Sequence, residues 1–354
     1  MTNERFHQLF GLPPRRPDEC LTQAHMNVAA SIQAVLEEVV LKLTRSLAQE
    51  TGARDLCLAG GVALNCVANG KVLRDGRFAR VWIQPAAGDA GGAIGAALCT
   101  HYGFLGNPRA GGTYAMRGAY LGPEFSDRDI EARLTQLGAK VHVLAERELL
   151  DRVADDLTSG AAVGWFQGRM EFGPRALGAR SILGDPRSPT MQKLLNLKVK
   201  YRESFRPFAP AILEEHVKEF FEIEIPSPYM LLVMPIREER RRNQGDNAAA
   251  SGLDKLRVPR SDVPAVTHVD YSVRLQTVTP ERSPMFARII EEFYKLTGCP
   301  MIVNTSFNVR GEPIVCDHED AYRCFLMTDI DILVLDNCVV AKSGVDLEEV
   351  RAHA

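Results

Sequence analysis

The chain has 354 residues, 45% of them hydrophobic and 25% charged, with a formal net charge of −3. That length exceeds one ordinary core and predicts two domains, while the near balance of charge excludes a global electrostatic drive toward nucleic acid or an anionic membrane. No stretch is apolar enough to predict a signal peptide or membrane helix, so a cytoplasmic protein is expected.

In chain order, residues 1–24 read as a loosely structured lead-in. From His25 to Glu50, Val28, Ile32, Val35, Leu36, Val39, Leu43 and Leu47 recur at spacings of three and four, which predicts an amphipathic helix. Asp55–Ala59 predicts a buried strand, Asn65–Leu73 a helix, Arg80–Gln84 a strand and Ala93–Tyr102 a small-residue helix. This alternation over residues 25–105 predicts an α/β layer with a mostly parallel sheet. Residues 106–125 form a linker. Beyond it come helices at Asp127–Leu137 and Glu146–Ser159, then strands at Val141–Leu144 and Ala161–Phe166. A helix is expected over Pro189–Leu197, with strands over Tyr229–Pro235, Val273–Thr277, Met301–Asn304 and Ile332–Leu335. These place a second domain over residues 126–345, interrupted by a charged, mobile insertion at 238–262. The cysteines at 20, 57, 66, 99, 299, 316, 324 and 338 make no CxxC pair, and reduced, buried thiols are expected, Cys57 and Cys338 within strands.

Two glycine turns punctuate the first domain. Gly60 and Gly61 precede Asn65 where a strand passes into a helix, and Gly88-Asp89-Ala90-Gly91 repeats the pattern. Each is either a cradle for an anion or a tight turn, with Asp89 as a metal ligand or a helix cap. In the second domain Arg169, Arg175 and Arg180 lie among Gly168, Gly173, Pro174 and Gly178. The run 198–208 adds Lys198, Lys200, Arg202 and Arg206, with Phe205 and Phe208 as either adenine walls or core anchors. Fixed loop arginines suit phosphate, whereas a solvated basic face is the plainer reading. Arg274 sits inside a strand pattern. Asn304, Thr305, Ser306, Asn308 and Arg310 follow the apolar run 300–303, a dense set of donors and acceptors at a strand end. His25, His101, His216, His268 and His318 lack paired ligand spacing, and no GxSxG, Walker A or kinase motif occurs.

The segments LAGGVALNCVANGKV, QPAAGDAGGAIGAAL, GRMEFGPRALGARSILGDPR, KYRESFRPFAPA and NTSFNVRGEPIV resemble, in that order, those of the O-carbamoyltransferases of antibiotic tailoring and nodulation-factor decoration. The resemblance implies an α/β fold: the C-terminal part of an actin-like (ASKHA-type) domain over residues 25–105, then a YrdC-like domain with a twisted mixed sheet. It implies that ATP and carbamoyl phosphate form carbamoyladenylate at Arg175, Lys200, Arg206, Arg274, Asn304 and Ser306. Gly60, Gly61, Asn65, Arg169 and Arg310 would contact nucleotide. Asp89 would ligate a divalent metal of the transfer site, iron or a relative, with magnesium serving adenylation. The partners implied are a small-molecule hydroxyl acceptor and a separate N-terminal carbamoyltransferase chain carrying the HxxxH pair that this sequence lacks; a homodimer is also compatible, and no nucleic acid is expected. The competing expectations are a catalytically incomplete nucleotide-binding subunit and a relative acting in tRNA threonylcarbamoylation, the latter opposed by the charge balance and the GGVALN and GDAG turns.

Overall fold

The computed structural model describes residues 3–16, 19–109, 116–202, 206–242, 255 and 258–344. They fall into two compact units, residues 1–56 with 67–81, and residues 57–66 with 82–354.

In the first unit the lead-in holds a helix, α1 (Glu4–Phe10), because Asn3 accepts from the Phe6 N–H at its start and Gly11 turns left-handed at its end. Helix α2 (Gln23–Thr51) is bounded the same way, by a Thr22–His25 capping box and by Gly52 at φ 63°. Its covered positions are unexpected. Glu37 and Thr44 are buried, with Lys71 of α3 (Cys66–Asp75) donating to Glu37, while Ile32, Val35, Val39, Leu43 and Leu47 stand exposed. Strands β1 (Asp55–Leu58) and β2 (Arg80–Ile83), each of which has residues in both units, make a sheet of two, so the sheet anticipated for residues 25–105 is limited to that pair among the described residues. In β1 Leu56 is buried and Cys57 exposed: the twofold alternation of a strand turns Cys57 outward, which corrects the expectation of a buried thiol. All eight cysteines are free, and Cys299, Cys324 and Cys338 are the buried ones. Helix α4 (Gly91–Leu98) follows in the second unit.

The second unit is built on a sheet of nine strands. In chain order its elements are α5 (Asp127–Gln136), β3 (His142–Val143), α6 (Glu146–Thr158), β4 (Val163–Phe166), β5 (Arg180–Gly184), α7 (Met191–Leu194) and β6 (Ala209–Leu213). Then come α8 (Val217–Phe220), β7 (Leu232–Pro235), β8 (Ser272–Val278), α9 (Pro284–Thr297), β9 (Met301–Ser306), α10 (His318–Met327), β10 (Ile332–Leu335) and β11 (Cys338–Ala341). The strand order is β3-β11-β10-β4-β5-β9-β6-β8-β7. Only β10 with β4 and β6 with β8 run parallel, so the sheet is mixed. Helix α9 shows why these elements form. Pro284 opens it, Gly298 closes it at φ 69°, and Phe286, Ile289, Ile290 and Phe293 are buried where it packs on α6, β6 and β9. The helix expected over 189–197 is shorter than its pattern: α7 ends at Leu194 and widens into a π turn through Val199. Phe205 and most of the 238–262 insertion lie outside the described residues.

Candidate functional site: a basic pocket at the strand ends

Strand period places Arg274 and Gln276 on one face of β8, and Asn304 and Ser306 on one face of β9. Between them runs β6, whose Ala211 pairs with Gln276 and whose Ala209 pairs with Asn304. Paired residues share a face, and the two alanines are small enough for the amides on either side to meet above them. They do meet, with Asn304 Nδ2 donating to Gln276 Oε1 at 2.8 Å.

The loop between β4 and β5 closes over these strands. Glu171 organises it: the buried Oε1 accepts from the N–H groups of Leu177, Ala179 and Arg180 at 2.6, 2.8 and 3.3 Å. Gly178 holds φ 113° with its backbone against the Phe286 ring, where a Cβ would lie 2.3 Å from Cδ1. Arg180, the one loop arginine that is fully buried, is a structural tie. Its guanidinium lies 3.4 Å from the Phe166 ring centroid and donates to the carbonyls of Gly168, Ala179 and Pro123. Burial lowers it to about 10, with Glu171 the leading opposing charge. Arg175 differs. Its Nη2 donates to Leu64 O at 3.3 Å, which brings the turn after Gly61 to the pocket, and its buried Nε has no hydrogen-bond partner among the described residues.

Arg274 is half-buried, and no ion pair or hydrogen bond from its guanidinium occurs among the described residues. Burial lowers its pKa first, and the charges of Arg175 and Arg202 add to that effect, with Cys66 opposing. Three guanidinium groups thus converge with no carboxylate among the charges acting on Arg274. Arg202 is aimed by Asn196, which accepts from its Nε at 2.7 Å. The fully buried Asn196 also donates to Arg206 O at 2.7 Å. Close to Arg274, burial holds the His268 imidazole down at about 4, with Asp270 opposing and Arg274 and Arg260 assisting. Its sequence context predicted an ordinary surface or core histidine.

The polar turn after β9 is drawn together by Lys200. The buried Nζ donates to the backbone oxygens of Ser306 and Asn308 and to Asn308 Oδ1 at 2.7 Å, and Ser306 Oγ donates to the same Oδ1 at 2.7 Å. Burial lowers Lys200 to about 7, and the charge of Arg202 adds to that shift. Phe208 is a core anchor, 2% exposed, with Arg202 stacked 5.3 Å from its centroid.

The pocket therefore collects Arg175, Lys200, Arg202, Arg274, Asn304 and Ser306, with Asn65 in the turn beside Leu64. Arg206 and Arg310 have exposed side chains, and Arg169 lies exposed beside Glu124 at 3.3 Å. Gly60 and Gly61 border the turn, Gly60 at φ 94°. Asp89 is exposed, and among the described residues no group of three His, Cys, Asp or Glu side chains is placed to hold a metal. A divalent cation of the magnesium or iron kind takes several ligands, of which Asp89 would supply one. Glu171, Asn196 and Gln276 carry no sequence signal because their work is to aim other groups, and no spacing marks that. No helix among the described residues is long and apolar enough to cross a membrane.

Comparison with known proteins agrees with the motifs. Residues 1–98 match the family model of the carbamoyltransferase N-terminus and residues 154–342 that of the carbamoyltransferase C-terminus. The uncharacterized protein sll1178 of Synechocystis is 56% identical over 97% of this chain and 57% of its own length. Nodulation protein NolNO of Sinorhizobium fredii is 42% identical over 95% of this chain and 47% of its own. The chain thus spans about half the length of the curated relatives it matches. A solved structure of full-length HypF, in a phosphate- and nucleotide-bound form, overlaps 52% of this chain and 20% of that one. Its TM-score is 0.32 and its identity 20%, too loose a likeness to argue from. On its two matched models and its relatives, the chain belongs to the carbamoyltransferase family.

Proposed function

We propose that this chain carries the adenylate-forming half of an O-carbamoyltransferase. Carbamoyl phosphate and water give carbamate and phosphate. A carbamate oxygen then bonds to the α-phosphorus of ATP as the bond from that phosphorus to pyrophosphate breaks, leaving carbamoyladenylate. A hydroxyl of a sugar or secondary metabolite, such as a nodulation factor or antibiotic, then bonds to the carbamoyl carbon, gives up its proton and displaces AMP, which completes the reaction. The observation that carries this reading is the convergence of Arg175, Arg202 and Arg274 without a carboxylate among the charges on Arg274. Such a cluster favours a polyanion and offsets the charge that develops as pyrophosphate leaves. Purified protein should release pyrophosphate only when ATP and carbamoyl phosphate are both present. Arg274→Ala should lower that rate by about 10- to 100-fold, the worth of one or two charge-assisted hydrogen bonds. Pyrophosphate release that ignores carbamoyl phosphate, or an unimpaired variant, would count against the proposal.

The exposed stripe on α2 favours a second element of the reading, that this unit is covered by polypeptide corresponding to the part of the relatives this chain does not match. Val35 is 59% and Leu43 65% exposed within a continuous row of five apolar residues. A row of that kind marks an interaction face. The unmatched part of sll1178 should form a stable complex with this chain in size-exclusion chromatography, and Leu43→Glu should abolish it. Co-elution that survives Leu43→Glu would place the contact elsewhere.

A further inference from the structure

The orientation of the Asn304 amide follows from a chain of hydrogen bonds that starts at the backbone. Leu177 O is an acceptor only, and it receives both Tyr120 Oη and Gln276 Nε2 at 2.8 Å. That assigns the nitrogen of Gln276 to Leu177 and turns its Oε1 toward Asn304. Facing an acceptor, Asn304 must present Nδ2, which donates to Gln276 Oε1 at 2.8 Å and to Ala176 O at 3.2 Å. Both amide protons are then committed. Asn304 Oδ1 is left buried with no hydrogen-bond partner among the described residues, on the sheet face shared with Arg274. A buried acceptor without a donor costs free energy until a ligand supplies an N–H.

We infer that Gln276 is a positioning residue that sets the pocket's choice of acyl group. By holding Asn304 with its oxygen outward, it provides an acceptor for the –NH2 of a carbamoyl group, and it disfavours an acetyl group, whose methyl has nothing to donate. This inference rests on the adenylate-forming reading and adds a specificity determinant to it. Neither residue reacts: Asn304 would touch the carbamoyl nitrogen, and Gln276 acts through Asn304.

The test compares pyrophosphate release from ATP with carbamoyl phosphate and with acetyl phosphate, in the full chain. The wild type should prefer carbamoyl phosphate in kcat/KM by at least about tenfold, since the acetyl analogue leaves the acceptor unpaired. Gln276→Met keeps length and volume but removes both polar atoms, leaving the longer bond to Ala176 O at 3.2 Å as the remaining hold on Asn304 Nδ2, and the preference should fall. Gln276→Glu still accepts from Asn304 Nδ2, so the preference should persist even where rates fall. A merely structural role would lower both substrates together and leave the ratio unchanged. A folded Gln276→Met with an undiminished ratio, or a Gln276→Glu that loses it, overturns the inference. Wild type that releases no pyrophosphate with either acyl phosphate overturns the adenylate-forming reading beneath it. Should Gln276→Met fail to fold, Gln276→Leu, which also removes both polar atoms, is read in its place, and an undiminished ratio there overturns the inference.

Discussion

Lys200→Met is expected to lower pyrophosphate release by at least about 100-fold, the scale of losing one fixed charge from a preorganised site. Its Nζ gathers the backbone oxygens of Ser306 and Asn308 and the Asn308 side chain, so its loss unmakes the turn and removes a cation from the pocket. The same residue predicts two pH responses of opposite sign. Burial brings folded Lys200 to about 7, so wild-type activity should fall as pH rises through that value and the pocket loses a charge. An unfolded lysine keeps its proton to about pH 10.4. From about pH 7 to there, the unfolded state binds the extra proton. Stability therefore rises with pH across that window, by at most about 1.4 kcal/mol per unit, and the contribution is flat below it. Lys342, lowered by burial to about 8, contributes a similar slope, so the quantity to measure is wild type minus Lys200→Met. Chemical denaturation at pH 6, 8 and 9.5, paired with rate profiles, checks both. A difference between the two proteins that ignores pH in both readings would refute this role.

Glu171→Ala is expected to destabilise the larger unit by about 3 kcal/mol or more, since three buried backbone N–H groups lose their acceptor inside the protein. The loop it ties carries Arg175, so activity should fall even at temperatures where the variant stays folded. Glu171→Gln retains an acceptor oxygen and should recover part of both. Urea midpoints for the three proteins give the order wild type, Gln, Ala. An alanine variant within about 0.5 kcal/mol of wild type, the range of ordinary surface changes, would show that the loop is held by other means.

Much of this was open to reading in the residues. The family follows from five motifs in order and the α/β class from alternating helix and strand patterns, whereas the mixed sheet of the second unit is what the family resemblance implies. Helix α2 was legible from its period, yet its apolar row proved to be the exposed face, because periodicity reports that a helix has two sides and not which one is covered. Cys57 illustrates the same limit in a strand, where burial depends on which side of the sheet has a neighbour. The sequence pattern does not predict strand β5, which opens at Arg180, because a charged first residue hides a strand whose guanidinium is satisfied by loop carbonyls.

The polar content of the pocket is therefore a property of the residue order: guanidinium groups in glycine-rich loops and amides at a strand end follow from composition and local propensity alone. Which of those groups meet is decided by tertiary structure. Gln276 reaches Asn304 because a third strand from another part of the chain runs between them with alanine at both facing positions. Arg175, Arg202 and Arg274 come together from three separated segments, and Arg180 is drawn off into the core by Phe166. Hydrogen bonds and charge act over a few ångströms in space, and the spacing of residues along the chain does not encode those distances.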